Sequence, residues 1–256
     1  MSRISTFFSL AFCLVLASNS VFAQDKYITA HFGYGFGSGT QLLGTKQSES
    51  TTEGVYGSFG EGPKFGASAG YMFNSNIGME LGLSYWPGKT FESSPLEGAS
   101  QLSESRFGSG FVMTPAIVIS SGTQTITPYA RAGLVFGLLK VTRESKFVES
   151  GQPTEEYTLE ETGGLAVGYS GAIGVVISTS GTADFFAEID LQSVTYSPSK
   201  MELTRYVVGG EDELYRVRNP TYTFEESIPS NSESSLLADR LPFSSIGITV
   251  GIRIEL

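Results

Sequence analysis

From Lys26 onward the chain alternates. Ile28, Ala30, Phe32, Tyr34 and Phe36 fall on one side, and Thr29, His31, Gly33, Gly35 and Gly37 on the other. This is the period of two expected of a strand with unlike faces, not the 3.6 of a helix. The split recurs along the chain. One side collects Phe65, Ala67, Ala69, Tyr71 and Phe73, then Ile77, Met79, Leu81, Leu83 and Tyr85, then Phe111, Met113, Pro115, Ile117 and Ile119. It returns as Ile126, Pro128, Ala130, Ala132, Leu134, Phe136 and Leu138, and again as Leu165, Val167, Tyr169, Gly171, Ile173, Val175 and Ile177. Phe185, Ala187, Ile189 and Leu191 continue it, and Ile246, Ile248, Val250, Ile252, Ile254 and Leu256 close the chain. These are eight segments, each near the ~9–11 residues with which a tilted strand crosses a bilayer.

The two faces decide the class. One is apolar throughout; the other holds Gly, Ala, Ser and Thr with most of the strand charges. A soluble barrel points its large apolar residues inward, and eight such faces would overfill so small an interior, whereas Gly, Ala and Ser fit it. The pattern therefore predicts an all-β, eight-stranded antiparallel up-and-down transmembrane β-barrel with its apolar face in lipid. By the same parity Glu80, Arg131, Glu188, Asp190, Arg253 and Glu255 face the lumen, clustered toward one end of the barrel, and His31 is a luminal polar residue. In a low-dielectric interior these acids and bases are expected to pair. An arginine on the lipid side at the midplane would cost ~2–4 kcal/mol.

The connections alternate in length. Residues 74–76, 121–125 and 178–183 form short turns, while residues 36–64, 86–106, 140–163 and 195–242 form long ones. Short periplasmic turns and long outside loops are the outer-membrane arrangement, and an even strand count puts both termini in the periplasm. Parts of the long connections still alternate, in residues 54–62, 140–150, 156–162 and 201–208, and are expected to extend strands beyond the membrane. Residues 42–54, 149–156 and 208–240 read as the loosest. The last of these carries Glu211, Asp212, Glu213, Glu225, Glu226, Glu233 and Asp239 against three arginines. It reads as a solvated surface loop or a recognition surface, without the spacing of a calcium loop.

The N-terminus adds a destination. Arg3 precedes an apolar run from about Phe7 to Ala17, and Val21-Phe22-Ala23 offers small residues to a signal peptidase. Residues 1–23 read as a secretory signal cut before Gln24, the run being too short for a membrane anchor. Residues 24–256 form the barrel domain. Cys13, the only cysteine, leaves with the signal, so the mature chain has no disulfide, thiol nucleophile or thiolate metal ligand. The formal charge of −10 argues against nucleic acid as a partner.

The stretch "TPYARAGLVFG" resembles the "PY-small-x-x-G" strand of small outer-membrane β-barrel domains of the OmpA/OmpX type. Signal, eight strands and final strand match that outer membrane protein β-barrel family over the whole mature chain. The resemblance implies a porin-like cell-surface protein of a Gram-negative outer membrane, built by the barrel-assembly machinery, with a filled lumen. Outer-membrane lipids and lipopolysaccharide are its expected surroundings, with an extracellular ligand at the loops and a monomeric state. One departure is Leu256, where such barrels usually end on an aromatic residue. No peptidoglycan-binding domain is expected after the barrel, so the resemblance does not imply an anchoring role.

Function narrows accordingly. Membrane-barrel hydrolases use histidine with serine and a carboxylate; here His31 is the only histidine, without a nucleophile motif around it. It reads as a lumen filler hydrogen-bonded to a luminal acid. No catalytic residue, cofactor or metal site is expected. The expected role is surface interaction, adhesion or envelope integrity through the long loops, around a plugged polar lumen. Two alternatives stay open: a narrow channel for small solutes or ions, and a secreted lipocalin-like ligand-binding barrel. Pro115 falls mid-strand, where a missing N–H predicts a bulge. Tyr71, Phe73 and Phe185 near the short turns, and Tyr34, Phe36, Tyr85 and Phe136 near the long loops, predict two aromatic girdles.

Overall fold

The computed structural model describes residues 26–256 apart from Glu49, Glu97, Ala99, Thr123, Gln124 and residues 229–233; the expected signal segment and Glu233 lie outside the described residues. Eight long strands follow in order: β1 Lys26–Gly37, β2 Gly62–Met72, β3 Ile77–Pro87, β4 Ser100–Ser120, β5 Ile126–Glu149, β6 Ala166–Ile177, β7 Ala183–Tyr196 and β8 Ser245–Glu255. Each pairs antiparallel with its neighbours, and β8 pairs with both β7 and β1. The ring of pairings is thus closed, with Ile28 opposite Ile254 and Phe36 opposite Ile246 at the seam.

The alternation read from the sequence is the burial pattern of the strands. Phe111, Ile173 and Ile248 are 68%, 65% and 56% exposed, while Val112, Ala172 and Thr249 beside them are buried. The large apolar side chains therefore point away from the axis, which rules out the lipocalin-like alternative. Outward aromatics pair near the ends: half-exposed Tyr71 with Phe73, Tyr34 with Phe36, and Tyr85 with Phe111, ring centroids 5.4, 5.3 and 5.0 Å apart. Phe136 is only half-exposed.

The short turns are closed by side chains. Asn74 Oδ1 accepts from the backbone N–H groups of Asn76 and Ile77, both at 2.9 Å, the hydrogen-bond habit that favours Asn in tight turns. Asp184 Oδ1 accepts from Thr179 N–H at 2.9 Å, and Thr179 Oγ1 donates to Ala183 O at 2.7 Å.

Pro115 does not make the expected bulge. Toward β3 its pairing is continuous, Leu81 opposite Pro115. Toward β5 the ladder runs to Met113–Phe136 and resumes at Ala116–Gly133 in the same register, passing over Thr114 and Pro115. A one-residue bulge would turn Ile117 and Ile119 into the lumen and Val118 into lipid, so the lost hydrogen bond is the smaller cost. Gly133 permits the close approach: a Cβ there would sit 2.4 Å from the Pro115 carbonyl oxygen.

At the long-loop end the alternating segments are strands, as their period predicts, except that residues 58–61 leave the strand and turn into the mouth. β4 and β5 are 21 and 24 residues long, about twice a membrane crossing. Glu155–Thr162 pairs with the outer part of β5, and Lys200–Val208 pairs with Glu155–Thr162. Residues 42–54, expected to be loose, instead take part in a hairpin of Gln41–Gln47 with Thr52–Gly57.

The mouth beneath this sheet departs from the expected polar lumen. Trp86, Val112, Val135, Leu139, Val141, Val194 and Tyr196 turn inward there, and Leu43, Phe59, Phe91, Leu241 and Phe243 descend from the loops to form one buried apolar cluster with them. Phe59 lies 5.5 Å from Phe243, and Tyr196 stands edge-on to Phe243 at 5.8 Å. Hydrogen bonds to backbone carbonyls hold the two loop segments together. Phe59 N donates to Pro242 O at 2.8 Å, and Ser58 Oγ reaches the Pro242 and Ser244 carbonyls at 3.1 and 2.7 Å. Gly60 is required here, because a Cβ would lie 2.2 Å from the Phe243 carbonyl oxygen.

Candidate functional site

Below the apolar cap, β2, β3, β5, β7 and β8 turn charged side chains toward one another. Arg131 on β5 lies between two acids: one guanidinium nitrogen contacts Glu80 Oε1 on β3 and the other donates to Glu188 Oε1 on β7 at 2.5 Å. Each carboxylate has a second donor. Tyr27 OH reaches Glu80 Oε2 at 2.9 Å and Tyr129 OH reaches Glu188 Oε2 at 2.7 Å. The acids are buried, with side-chain exposures of 8% and 2%, so ionised carboxylates there depend on these partners.

A second group sits nearer the mouth. Lys64 on β2 approaches Asp190 Oδ1 at 3.4 Å and donates to Ser245 Oγ at 2.7 Å, while Thr249 Oγ1 donates to Asp190 Oδ2 at 3.0 Å. The Lys64 ammonium also lies 4.9 Å from the centre of the Trp86 ring, where the charged region meets the apolar cap. At the opposite end Arg253 stacks its guanidinium 3.9 Å from the Tyr27 ring centre and approaches Glu255 at 3.4 Å.

Of the residues singled out in the sequence, Glu80, Arg131 and Glu188 form one contact group. Asp190 is held by Lys64, and Arg253 joins the group through the Tyr27 ring and hydroxyl. His31 packs against Gly66, where a Cβ would meet its Nε2 at 2.4 Å, and makes no hydrogen bond to an acid among the described residues. Three participants escaped the sequence reading: Lys64, Tyr27 and Tyr129. All share the luminal parity of their strands, which was the available signal.

Small chambers remain on either side of Arg131. One of about 30 Å³ lies among Tyr27, Thr29, Tyr129 and Arg253; another of about 40 Å³ lies among His31, Ser170, Asp190 and Gln192. Each has room for a water molecule or two. The buried Ser170 Oγ, Gln192 Oε1 and Arg253 Nε beside them have no protein partner, as expected of groups that bond to ordered water. No grouping of three or more His, Cys, Asp or Glu side chains suited to a metal ion occurs among the described residues.

Comparison with solved structures returns outer-membrane barrels. OprG from Pseudomonas aeruginosa aligns with a TM-score of 0.46 at 12% identity, over 91% of this chain and 96% of that one. Neisserial surface protein A gives 0.37 at 10% identity, over 90% and 97%, and CarO2 from Acinetobacter baumannii gives 0.33 at 12%, over 91% and 99%. A comparison with curated protein sequences found no match. The family model for the outer membrane protein beta-barrel domain matches residues 9–217. With a closed ring of eight strands, an apolar exterior and an ion-paired interior, the chain belongs to that family of outer-membrane β-barrel proteins.

Proposed function

We propose that this outer-membrane protein is a sealed barrel whose long-loop superstructure acts in surface interaction, adhesion or envelope integrity, without catalysis. The observation that carries this reading is two closures in series: the apolar cap around Phe59 and Phe243, and the Arg131 bridge across the lumen below it. An ion would have to cross an apolar layer and then break buried ion pairs. Meanwhile β4 and β5 continue far past the bilayer into a sheet joined by Glu155–Thr162 and Lys200–Val208. That is a large ordered surface for a protein with no open passage.

The channel reading keeps one specific support, the two polar chambers beside Arg131. Planar-bilayer recordings separate the two. The purified protein should give no discrete conductance steps. Phe59→Ala combined with Phe243→Ala should still give none, because the Arg131 bridge remains; adding Arg131→Ala should open a small conductance. Steady current through the unmodified protein overturns the sealed reading.

A further inference from the structure

The lipid-facing wall is not uniform. Across β1 to β5, at the short-turn end, it is hollowed into an apolar groove of about 790 Å³. Two register rows build it. One runs Ile28–Ala69–Leu81–Pro115, continuing toward Leu134; the other runs Lys26–Tyr71–Met79–Ile117–Ala132. Depth comes where the outward residue is small, at Ala69, Pro115 and Ala132, between walls such as Leu81, Met79 and Ile117. A row across five strands covers four strand spacings of about 4.8 Å, roughly 19 Å in all. Because the strands tilt by ~35–45°, the row climbs roughly 12 Å, within one leaflet of a ~30 Å hydrocarbon core.

The groove ends at a cation. Lys26 has the parity of Ile28, is exposed, and forms no ion pair among the described residues. Leu256, whose N–H donates to the Lys26 carbonyl at 2.8 Å, closes the same end. An apolar slot one leaflet deep with an unpaired ammonium at the headgroup level matches an acyl chain carrying an anionic head. A second copy of the barrel matches poorly. A two-fold contact would set groove against groove and leave a void.

We propose that this groove seats one acyl chain of an anionic phospholipid of the periplasmic leaflet, with Lys26 engaging its phosphate headgroup. The inference rests on the outer-membrane placement and on the short turns facing the periplasm. It does not depend on whether the lumen conducts.

Native mass spectrometry of the detergent-solubilised protein, titrated with dioleoyl-phosphatidylglycerol or dioleoyl-phosphatidylcholine, tests it. The unmodified protein should retain one phosphatidylglycerol at least tenfold more readily than phosphatidylcholine. Ala69→Leu with Ala132→Leu fills the slot from positions where larger apolar residues suit lipid; it should lower retention of both lipids about tenfold. Lys26→Gln should keep chain binding but erase the preference for phosphatidylglycerol. Heat-modifiable migration confirms that each variant is folded. Equal retention by the filled variant, no preference in the unmodified protein, or a dimer that the filling variant dissolves would each overturn the proposal.

Discussion

Among the described residues Arg131 is the one base that acids of two strands share, and removing it should show that. Arg131→Met leaves Glu80 and Glu188 buried with only a tyrosine hydroxyl each, and breaking a buried pair from one side costs about 3–5 kcal/mol. Urea unfolding in lipid vesicles should register a loss of that size. The triple variant Arg131→Met, Glu80→Gln, Glu188→Gln should recover most of it, because no uncompensated charge remains; a single variant as stable as the parent would show that the bridge contributes nothing. This group was readable from parity alone, since charges at positions 80, 131 and 188 can face only lumen or lipid. Lys64 has the same luminal parity, opposite to Phe65 and Ala67, but parity does not show that it reaches Asp190, 126 residues away in the chain. His31 shows the limit of parity: it gives the side a residue faces but not its hydrogen bonds.

The strands beyond the membrane carry a further, half-buried charge group. Arg106 on β4 stands directly opposite Arg143 on β5, with Arg106 approaching Glu104 at 3.4 Å and Arg143 approaching Glu161 at 3.7 Å. Burial pushes the Glu161 carboxyl above its ordinary range; Arg143 and Arg106 oppose this and Asp239 adds to it. A carboxyl raised in the folded sheet binds its proton more tightly there than in the opened segment. Glu155–Thr162 should therefore be least stable once the pH lies above the raised value, and should gain stability as the pH falls toward the ordinary carboxylate value near 4.5. Hydrogen exchange over this strand, corrected for intrinsic rates, should slow relative to β6 as the pH drops. Glu161→Gln should remove that dependence, and an unchanged dependence in this variant would assign it to another group. The existence of these outer strands followed from their period of two. The cap did not, because the alternation of residues 54–62 predicts a strand and not an inward fold, and Phe59 and Phe243 meet only across 184 residues of chain. Pro115 misled for a related reason: a sequence shows the missing donor, but not that pairing on both flanks outweighs it.

The barrel as a whole is asymmetric, with tight turns at one end, an ordered sheet at the other, and ion pairs and an apolar cap between them. That asymmetry fixes what a protease can reach. Among the loop arginines, Arg216, Arg218 and Arg240 are exposed on residues 207–240, whereas Arg131 is enclosed by Glu80 and Glu188 and Arg253 is stacked on Tyr27. Trypsin added to intact cells should cut at those three loop sites and spare the strands. The C-terminal piece should remain in place, because β8 is held along its length by β1 on one side and β7 on the other. The nicked protein should therefore keep its heat-modifiable migration, and boiling should release a fragment beginning at Leu241. Cutting only after the envelope is opened would reverse the orientation. It would place the long-loop sheet in the periplasm and the Lys26 groove in the outer leaflet, and so refute the surface role and the phospholipid site together.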